Sequence, residues 1–239
     1  MSHTIVLVHG AFAESASWDA LIDSLVVVGG HRVVAAANPL RSLATDAASV
    51  SDLVRTIDGP VVLVAHSYGG AVISNVDSDA GEIAGLVYVN GFAPEPGENC
   101  FGLAGMFPGS MLGEATVRPV PRSDGTTDLY IAPDSFHDVF CQDIPALRAA
   151  QLATTQRPAT QEALVEPSGD QPLWMDVPSW FLIGEEDRII PPDLQRHMAH
   201  RAGARRTLEL VGASHAAAVS QPGAVVELIL EAARLPAAA

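Results

Sequence analysis

Short runs of apolar residues alternate along this chain with longer amphipathic stretches, and this alternation restricts the fold more than any other feature. Most of the runs are continuously apolar, which is typical of parallel strands covered on both faces. They are TIVLV (4–8), RVVAAA (32–37), PVVLVA (60–65), GLVYVN (85–90), SWFLIG (179–184) and RTLELV (206–211). The pattern predicts an α/β fold with a mostly parallel sheet of about six strands flanked by helices.

The segment 92–178 interrupts this alternation. It contains no convincing strand and is rich in proline and glycine. Because loops of this length without secondary structure are uncommon in compact domains, we expect short helices here, for example over 133–140 and 144–156. The sequence therefore predicts an α/β core formed by residues 1–91 and 179–239, with residues 92–178 inserted as a helical cap.

The composition restricts the class of partner. The chain has 28 acidic and 13 basic residues, a formal net charge of −15. This argues against nucleic acid and anionic membranes as partners, because phosphate groups are bound by clustered lysine and arginine. All basic residues are arginine, so a mechanism that needs a lysine amine is excluded. No run approaches the roughly 20 apolar residues of a membrane-spanning helix, so we expect no membrane partner.

The N-terminal sequence and the two cysteines indicate the cellular compartment in which the protein is expected. MSHTIVLVHG passes directly into a short apolar run and lacks the long apolar region of a secretory signal peptide, so we expect a cytoplasmic protein. Cys100 and Cys141 make no disulfide framework, and their spacing matches no metal motif. We expect reduced thiols and no bound metal. The sequence is compatible with a monomer or a homodimer.

Ser67 lies in AHSYGG (65–70), directly after a strand and before a predicted helix. Small residues at 65 and 69 let strand and helix approach closely while the central residue takes a strained turn conformation, as in the nucleophile elbow G-x-S-x-G. Ala65 replaces the first glycine of that pattern. We interpret Ser67 as a nucleophile. The alternative is a serine that only caps the following helix.

A serine hydroxyl needs a base, and His215 is the best placed of the eight histidines. It lies in GASHAAAVSQP, just after the last apolar run, where loops at the carboxyl edge of a parallel sheet form binding sites. His66 is adjacent to Ser67, but neighbouring side chains of a strand point to opposite faces, so we expect His66 to pack. The alternative for His215 is an ordinary loop histidine.

The base needs a carboxylate that orients it. GEEDRIIPP (184–192) follows the run SWFLIG and offers three candidates, Glu185, Glu186 and Asp187. Asp187 is preferred because its side chain is short and its loop ends in two prolines. The order along the chain is then serine, aspartate, histidine.

Two backbone N–H groups are expected to stabilise the negative charge that develops when the serine attacks. One belongs to Tyr68, the residue after the nucleophile. The other comes from the loop after the first strand, HGAFAESASW (9–18). We choose Ala11 as this donor, with Phe12 as second choice, and expect His9 to brace the loop.

The segments VLVHGAF, AHSYGG, GEEDRIIPP and GASHAAAVSQP resemble the α/β-hydrolase superfamily. Within it they are similar to small bacterial serine esterases of the plant methylesterase and hydroxynitrile lyase branch. The resemblance extends from residue 4 to about residue 230 and is strong only at these motifs. It implies a serine hydrolase that forms an acyl-enzyme without a metal or organic cofactor. It also implies a sheet that lacks the two leading strands of the superfamily.

The resulting hypothesis is hydrolysis of a small-molecule carboxylic ester with an apolar or aromatic group. Its alternatives are a cofactor-free haloperoxidase or perhydrolase, a hydroxynitrile-lyase-like lyase, and a non-catalytic small-ligand receptor. The lyase is disfavoured because those enzymes typically carry a lysine near the base and a threonine where this chain has Gly10. Apolar residues are candidate substrate contacts, unless they only pack the cap onto the core: Phe12, Phe107, Met111, Phe136 and Phe140.

Overall fold

The computed structural model describes residues 3–234. Its strands are β1 (Thr4–Val8), β2 (Arg32–Ala36), β3 (Val61–Ser67), β4 (Ile83–Gly91), β5 (Val117–Pro121), β6 (Thr127–Ile131), β7 (Ala159–Thr160), β8 (Ser179–Gly184) and β9 (Arg206–Leu210). Its α-helices are α1 (Asp19–Asp23), α2 (Leu43–Arg55), α3 (Tyr68–Ser74), α4 (Cys100–Ala104), α5 (Pro133–Phe140), α6 (Ala146–Thr155), α7 (Gln161–Val165), α8 (Pro192–Arg201), α9 (Ala217–Ser220) and α10 (Pro222–Ala232). Within residues 3–234, no helix is long and apolar enough to cross a membrane.

Six strands form one parallel sheet in the order β2-β1-β3-β4-β8-β9. The expected parallel sheet is therefore confirmed. Strand β4 lies between β3 and β8, and β9 follows β8 at one edge. Because all six strands run in the same direction, the loops that follow β3, β4, β8 and β9 meet at one edge of the sheet.

The two faces of the sheet are covered by different helices, which explains why the strands are continuously apolar. Val6 and Leu63 face a cluster that includes residues of α2, α3 and the cap. Ile5 and Val62 face a second cluster with α1 and α10. Each residue of β1 and β3 is buried, so neither face of these strands has a polar, solvent-facing row.

The segment 92–178, which is expected to form a helical cap and is called the cap below, contains a small antiparallel sheet. Strands β5, β6 and β7 pair in that order. The expectation of no strand in this segment was wrong, because β5 is an exposed strand with two prolines and no continuous apolar run. The turn between β5 and β6 contains Gly125 at φ 90, a hairpin signal in the sequence SDGT. The expected helices over 133–140 and 144–156 are observed as α5 and α6.

A buried carboxylate attaches this small sheet to the core. Asp128 of β6 is 3% exposed at its side chain and accepts hydrogen bonds from Arg41 at 2.7 Å and Arg122 at 2.9 Å. Arg41 lies in the loop between β2 and α2 and also donates to the carbonyl of Pro158 at 2.9 Å. The Thr160 N–H donates to the carbonyl of Leu40 at 3.0 Å. The cap is thus hydrogen-bonded to the core at the side of β2.

Candidate active site

Ser67 lies at the junction of β3 and α3, with no intervening loop. Its φ of 54° and ψ of −126° are unusual for a residue with a Cβ. The Ser67 carbonyl accepts a hydrogen bond from the Phe92 N–H at 3.1 Å. The sharp turn from strand to helix predicted by AHSYGG is therefore present, and it places the serine at the carboxyl edge of the sheet.

Three glycines allow the chain to pass close to this turn. A Cβ on Gly10 would lie 2.6 Å from Ser67 Cβ, one on Gly69 would lie 2.6 Å from the Val8 carbonyl oxygen, and one on Gly70 would lie 2.3 Å from the Phe92 carbonyl oxygen. None of these positions accepts a side chain without movement of its neighbours. Ala65, where the usual motif has glycine, is accommodated as a fully buried residue.

His215 and Asp187 are hydrogen-bonded to each other at the same edge. His215 Nδ1 lies 2.8 Å from Asp187 Oδ2, and both side chains are buried. Asp187 follows β8, and His215 follows β9. His215 Nε2, on the opposite side of the ring, is buried and bonds to no other group among residues 3–234. This nitrogen is the ring atom left to exchange a proton with a serine.

The Asp187 carboxylate is held by four further donors. Oδ1 accepts from the backbone N–H groups of Ile189 at 2.8 Å and Ile190 at 3.0 Å. Oδ2 accepts from Asn90 Nδ2 at 2.9 Å and Gln195 Nε2 at 2.8 Å. Donors of this kind stabilise the ionised carboxylate and determine its orientation. Neither Asn90 nor Gln195 is predicted from the sequence, although Asn90 is a polar residue at the end of the apolar run GLVYVN.

His66 packs against the His215 loop, as expected of a residue that points away from Ser67. Its Nε2 lies 2.9 Å from the His215 carbonyl oxygen, and the two rings are 4.5 Å apart. Since a carbonyl oxygen only accepts, His66 donates from Nε2. Burial, with the neighbouring His215 as a second cause, lowers the pKa of His66 well below its ordinary value. A neutral His66 thus holds the backbone of His215.

The Tyr68 side chain points away from the serine. Its hydroxyl donates to Asp46 Oδ2 at 2.8 Å in a buried contact with α2. Burial raises the pKa of Tyr68 above its ordinary value, and the Asp46 carboxylate raises it further. This contact anchors the start of α3, so that the Tyr68 backbone is fixed next to Ser67.

In the loop after β1, the backbone N–H of Phe12, the second choice of oxyanion donor, is already hydrogen-bonded. The Phe12 N–H donates to the Arg157 carbonyl at 3.0 Å, so Phe12 cannot supply this donor while that bond is made. Phe12 has a φ of 61°, which turns its N–H towards the cap. The Ala11 N–H has no hydrogen-bond partner among residues 3–234. His9 braces the loop as expected, since the Asn38 N–H donates to its Nε2 at 3.2 Å.

A cavity of about 310 Å³ opens above Ser67. Ala11, Tyr68 and Phe107 contribute to its lining, and none of the residues around it is charged. Phe12 also lines it, so two of the five predicted substrate contacts, Phe12 and Phe107, border the serine. The lining also includes residues that were not predicted as contacts: Phe92, Cys100, Phe101, Leu112, Leu164 and Ile189.

Three predicted contacts lie elsewhere. Phe136 and Phe140 are not in the lining of this cavity; they are buried and stack on each other with ring centres 4.9 Å apart. Phe140 also contacts the His215 ring edge to face at 5.0 Å. Met111 likewise does not line the cavity, and its backbone N–H donates to the Arg188 carbonyl at 2.7 Å. Phe140, with Phe136 stacked on it, thus packs against His215. The Met111 side chain is exposed, and only its backbone is hydrogen-bonded to the loop of Asp187.

The turn after α5 contacts the loops of both Asp187 and His215. Gln142 Nε2 donates to the Glu186 carbonyl at 2.6 Å. The Ser214 N–H donates to Asp143 Oδ2 at 3.0 Å. Residues 142–143 of the cap therefore bridge the residues that immediately precede Asp187 and His215.

Known proteins share this architecture. A pyrethroid hydrolase from Sphingobium wenxiniae is 26% identical over 98% of this chain and 88% of its own length. The crystal structure of polyneuridine aldehyde esterase superimposes with a TM-score of 0.79 at 20% identity, covering 97% of this chain and 99% of that one. An extracellular alpha/beta-hydrolase from a Paenibacillus species gives a TM-score of 0.78 at 23% identity, covering 98% and 100%. These two superpositions show a shared fold.

The sequence resemblance is confirmed at the level of the family. The model of the alpha/beta hydrolase family matches residues 5–228, a range that includes β1, the Ser67 turn and the loops of Asp187 and His215. The six-stranded parallel sheet and its strand order agree with this match. The chain therefore belongs to the alpha/beta hydrolase family.

Proposed function

We propose that this protein is a serine hydrolase that cleaves a carboxylic ester of a small apolar or aromatic compound through an acyl-enzyme. Ser67 is the nucleophile, His215 the general base and acid, and Asp187 the carboxylate that orients His215. The observation that carries the proposal is the strained Ser67 turn beneath an uncharged cavity, at the same sheet edge as a buried His215–Asp187 pair.

In the first step, Ser67 Oγ attacks the ester carbonyl carbon while His215 Nε2 takes the hydroxyl proton. The imidazolium that forms keeps its Nδ1–H on Asp187, whose five hydrogen bonds fix its orientation. The carbonyl oxygen becomes negative and is stabilised by the backbone N–H groups of Ala11 and Tyr68. A donor of this kind typically lowers the barrier by about 3–4 kcal/mol.

Collapse of the tetrahedral intermediate breaks the bond to the alcohol oxygen, which takes the proton from His215. A water molecule then attacks the acyl-enzyme, with His215 again removing a proton. The second intermediate releases the acid and returns the proton to Ser67 Oγ. The same base and the same two N–H donors serve both halves of the cycle.

The uncharged lining of the cavity favours a neutral, apolar substrate. Its lining contains several aromatic and aliphatic side chains and no charged one, so a charged group placed there would lose its hydration without a partner. A pyrethroid hydrolase and an esterase are among the similar proteins, which supports ester cleavage.

The test combines turnover with active-site labelling. Purified protein is assayed with 4-nitrophenyl acetate and, separately, treated with an organophosphonate before intact-mass analysis and peptide mapping. We expect hydrolysis, a single label on Ser67, and loss of both in Ser67→Ala. A label on any other residue, or activity that survives in Ser67→Ala, would overturn the assignment. Ligand binding with no turnover would instead favour the receptor alternative, and halide or peroxide dependence the haloperoxidase or perhydrolase.

A further inference from the structure

A second apolar space adjoins the Ser67 cavity. It is a groove of about 400 Å³ between α7 and the small sheet of the cap. Its wall includes Val117 of β5, Leu129 of β6 and Val165 of α7. Four residues line both the groove and the Ser67 cavity, namely Phe12, Phe101, Leu112 and Leu164. The two spaces are therefore neighbouring compartments that share a wall of apolar side chains.

The groove leaves apolar side chains open to solvent. Phe101, at the boundary of the two compartments, is 68% exposed, and Val165 is 41% exposed. The only ionisable residue in its lining is Glu114, and Gln161 is the other long polar one. Contiguous exposed apolar surface beside a binding cavity is typical of a surface that a ligand covers.

We propose that the groove binds a second apolar group of the substrate, so that the natural ester is an elongated, neutral molecule with an apolar group on each side of its carbonyl. This inference rests on the proposed esterase function. The Ser67 cavity, at about 310 Å³, is at the lower limit of the roughly 300–1,000 Å³ range of small-molecule pockets. One compact group fills it, and a second group extends past Phe101 into the groove.

Gly113 offers a way to fill the groove without touching the serine. It lines the groove but not the Ser67 cavity, and a Cβ there would meet no atom within 4 Å. Gly113→Trp therefore adds an indole at the wall of the groove without a clash at Cβ. Gly223 has equally open space around its Cβ and lies in α10, so Gly223→Trp is the matched control for an added indole.

A second variant tests the same groove by charge. Val165→Asp places a carboxylate in the apolar lining and adds no bulk. Val27→Asp is the control for Val165→Asp. Val27 is 80% exposed, lies in the π-helix Ser24–Val28 and does not line the groove. Both residues are exposed in the folded protein, so neither substitution disturbs the buried core.

The measurement is kcat/KM for two ester series. One series lengthens the acyl chain of 4-nitrophenyl esters from acetate to decanoate, and the other lengthens the alcohol chain of acetate esters. In the unmodified protein we expect kcat/KM to rise along at least one series, by up to about fourfold per buried methylene, equivalent to ~0.8 kcal/mol. Gly113→Trp and Val165→Asp should remove the rise while leaving acetate turnover within twofold, and both controls should keep it.

The outcomes separate this inference from the function on which it rests. If 4-nitrophenyl acetate is not hydrolysed through Ser67, the proposed function fails. If acetate is hydrolysed but both series are flat, or if both groove variants keep the preference for long esters, the groove does not bind substrate and the inference is overturned while the esterase stands.

Discussion

Asn90 donates a hydrogen bond of 2.9 Å to Asp187 Oδ2. Through this contact β4 takes part in a site to which it supplies no member of the proposed triad. Both side chains are buried, and Asn90 reaches the carboxylate from a backbone φ of 46°, which asparagine tolerates better than most residues. The position thus combines an uncommon backbone conformation with a donor to the carboxylate.

We predict that Asn90→Gly lowers kcat by roughly tenfold or more and leaves KM within about twofold, because a hydrogen bond to a charged group contributes about 1.5–3 kcal/mol. Glycine tolerates the positive φ and removes the side chain that carries the amide donor. The assay is steady-state kinetics with 4-nitrophenyl acetate, accompanied by urea unfolding. Gln195→Leu, which removes the other side-chain amide donor to Asp187, should act in the same direction. Unchanged kcat in both variants would show that these donors do not orient the triad.

The φ of 54° at Ser67 predicts that a glycine at this position makes the protein more stable although it abolishes activity. Ser67→Gly and Ser67→Ala should both be inactive, but glycine relieves the strain of about 1–3 kcal/mol that alanine retains. After allowance for the greater unfolded-state entropy of glycine, we expect the glycine variant to be more stable by about 1 kcal/mol.

Urea unfolding of the two variants measures this difference. Ser49 lies exposed in the middle of α2, so the same pair of substitutions there should give the opposite order, with Ser49→Ala more stable by about 1 kcal/mol. An equal stability of Ser67→Gly and Ser67→Ala would mean that the turn stores no strain.

The two buried histidines His9 and His66 should make the free energy of unfolding decrease in mild acid. Burial lowers the pKa of His9 to about 4 and that of His66 well below its ordinary value. In the unfolded chain each titrates near pH 6.5, so below that pH the unfolded state binds more protons than the native state. The unfolding free energy is therefore highest above about pH 6.5, and each histidine lowers it by up to ~1.4 kcal/mol per pH unit on acidification.

Urea unfolding at pH 7.5, 6.0 and 5.0 gives this slope. His66→Gln removes one titrating group and should reduce the slope between pH 6.0 and 5.0. His200→Gln, at an exposed position, controls for the exchange of histidine for glutamine as such. The prediction fails if His66→Gln has the same pH dependence as the unmodified protein.

The sheet and the positions of the candidate catalytic residues could be predicted because each depends on a local pattern. Ser67, Asp187 and His215 each follow an apolar run, and the ends of parallel strands meet at one edge whatever the details of packing. Asn90 and Gln195 could not be assigned in the same way. Their contacts with Asp187 depend on which strand lies between β3 and β8 and on the rotation of α8, which are not local properties of the sequence.

The roles of the cap residues are harder to predict, because residues of the same type either line the cavity or pack the cap onto the core. Phenylalanines that line a cavity and phenylalanines that pack α5 onto the core are equally apolar, so Phe107 and Phe140 cannot be separated by residue type. The position of Phe12 in the loop after β1 predicts a second candidate oxyanion donor. Its bond to the Arg157 carbonyl joins residues 145 positions apart, and only the folded chain brings them together.

Gln142 and Asp143 connect the cap to two loops at once, and those loops carry Asp187 and His215. Each hydrogen bond joins the same short turn to a residue directly before Asp187 or His215. The two loops are therefore positioned by one shared support as well as by the contact between His215 and Asp187. A substitution that displaces this turn would act on both loops at once, without touching either member of the pair.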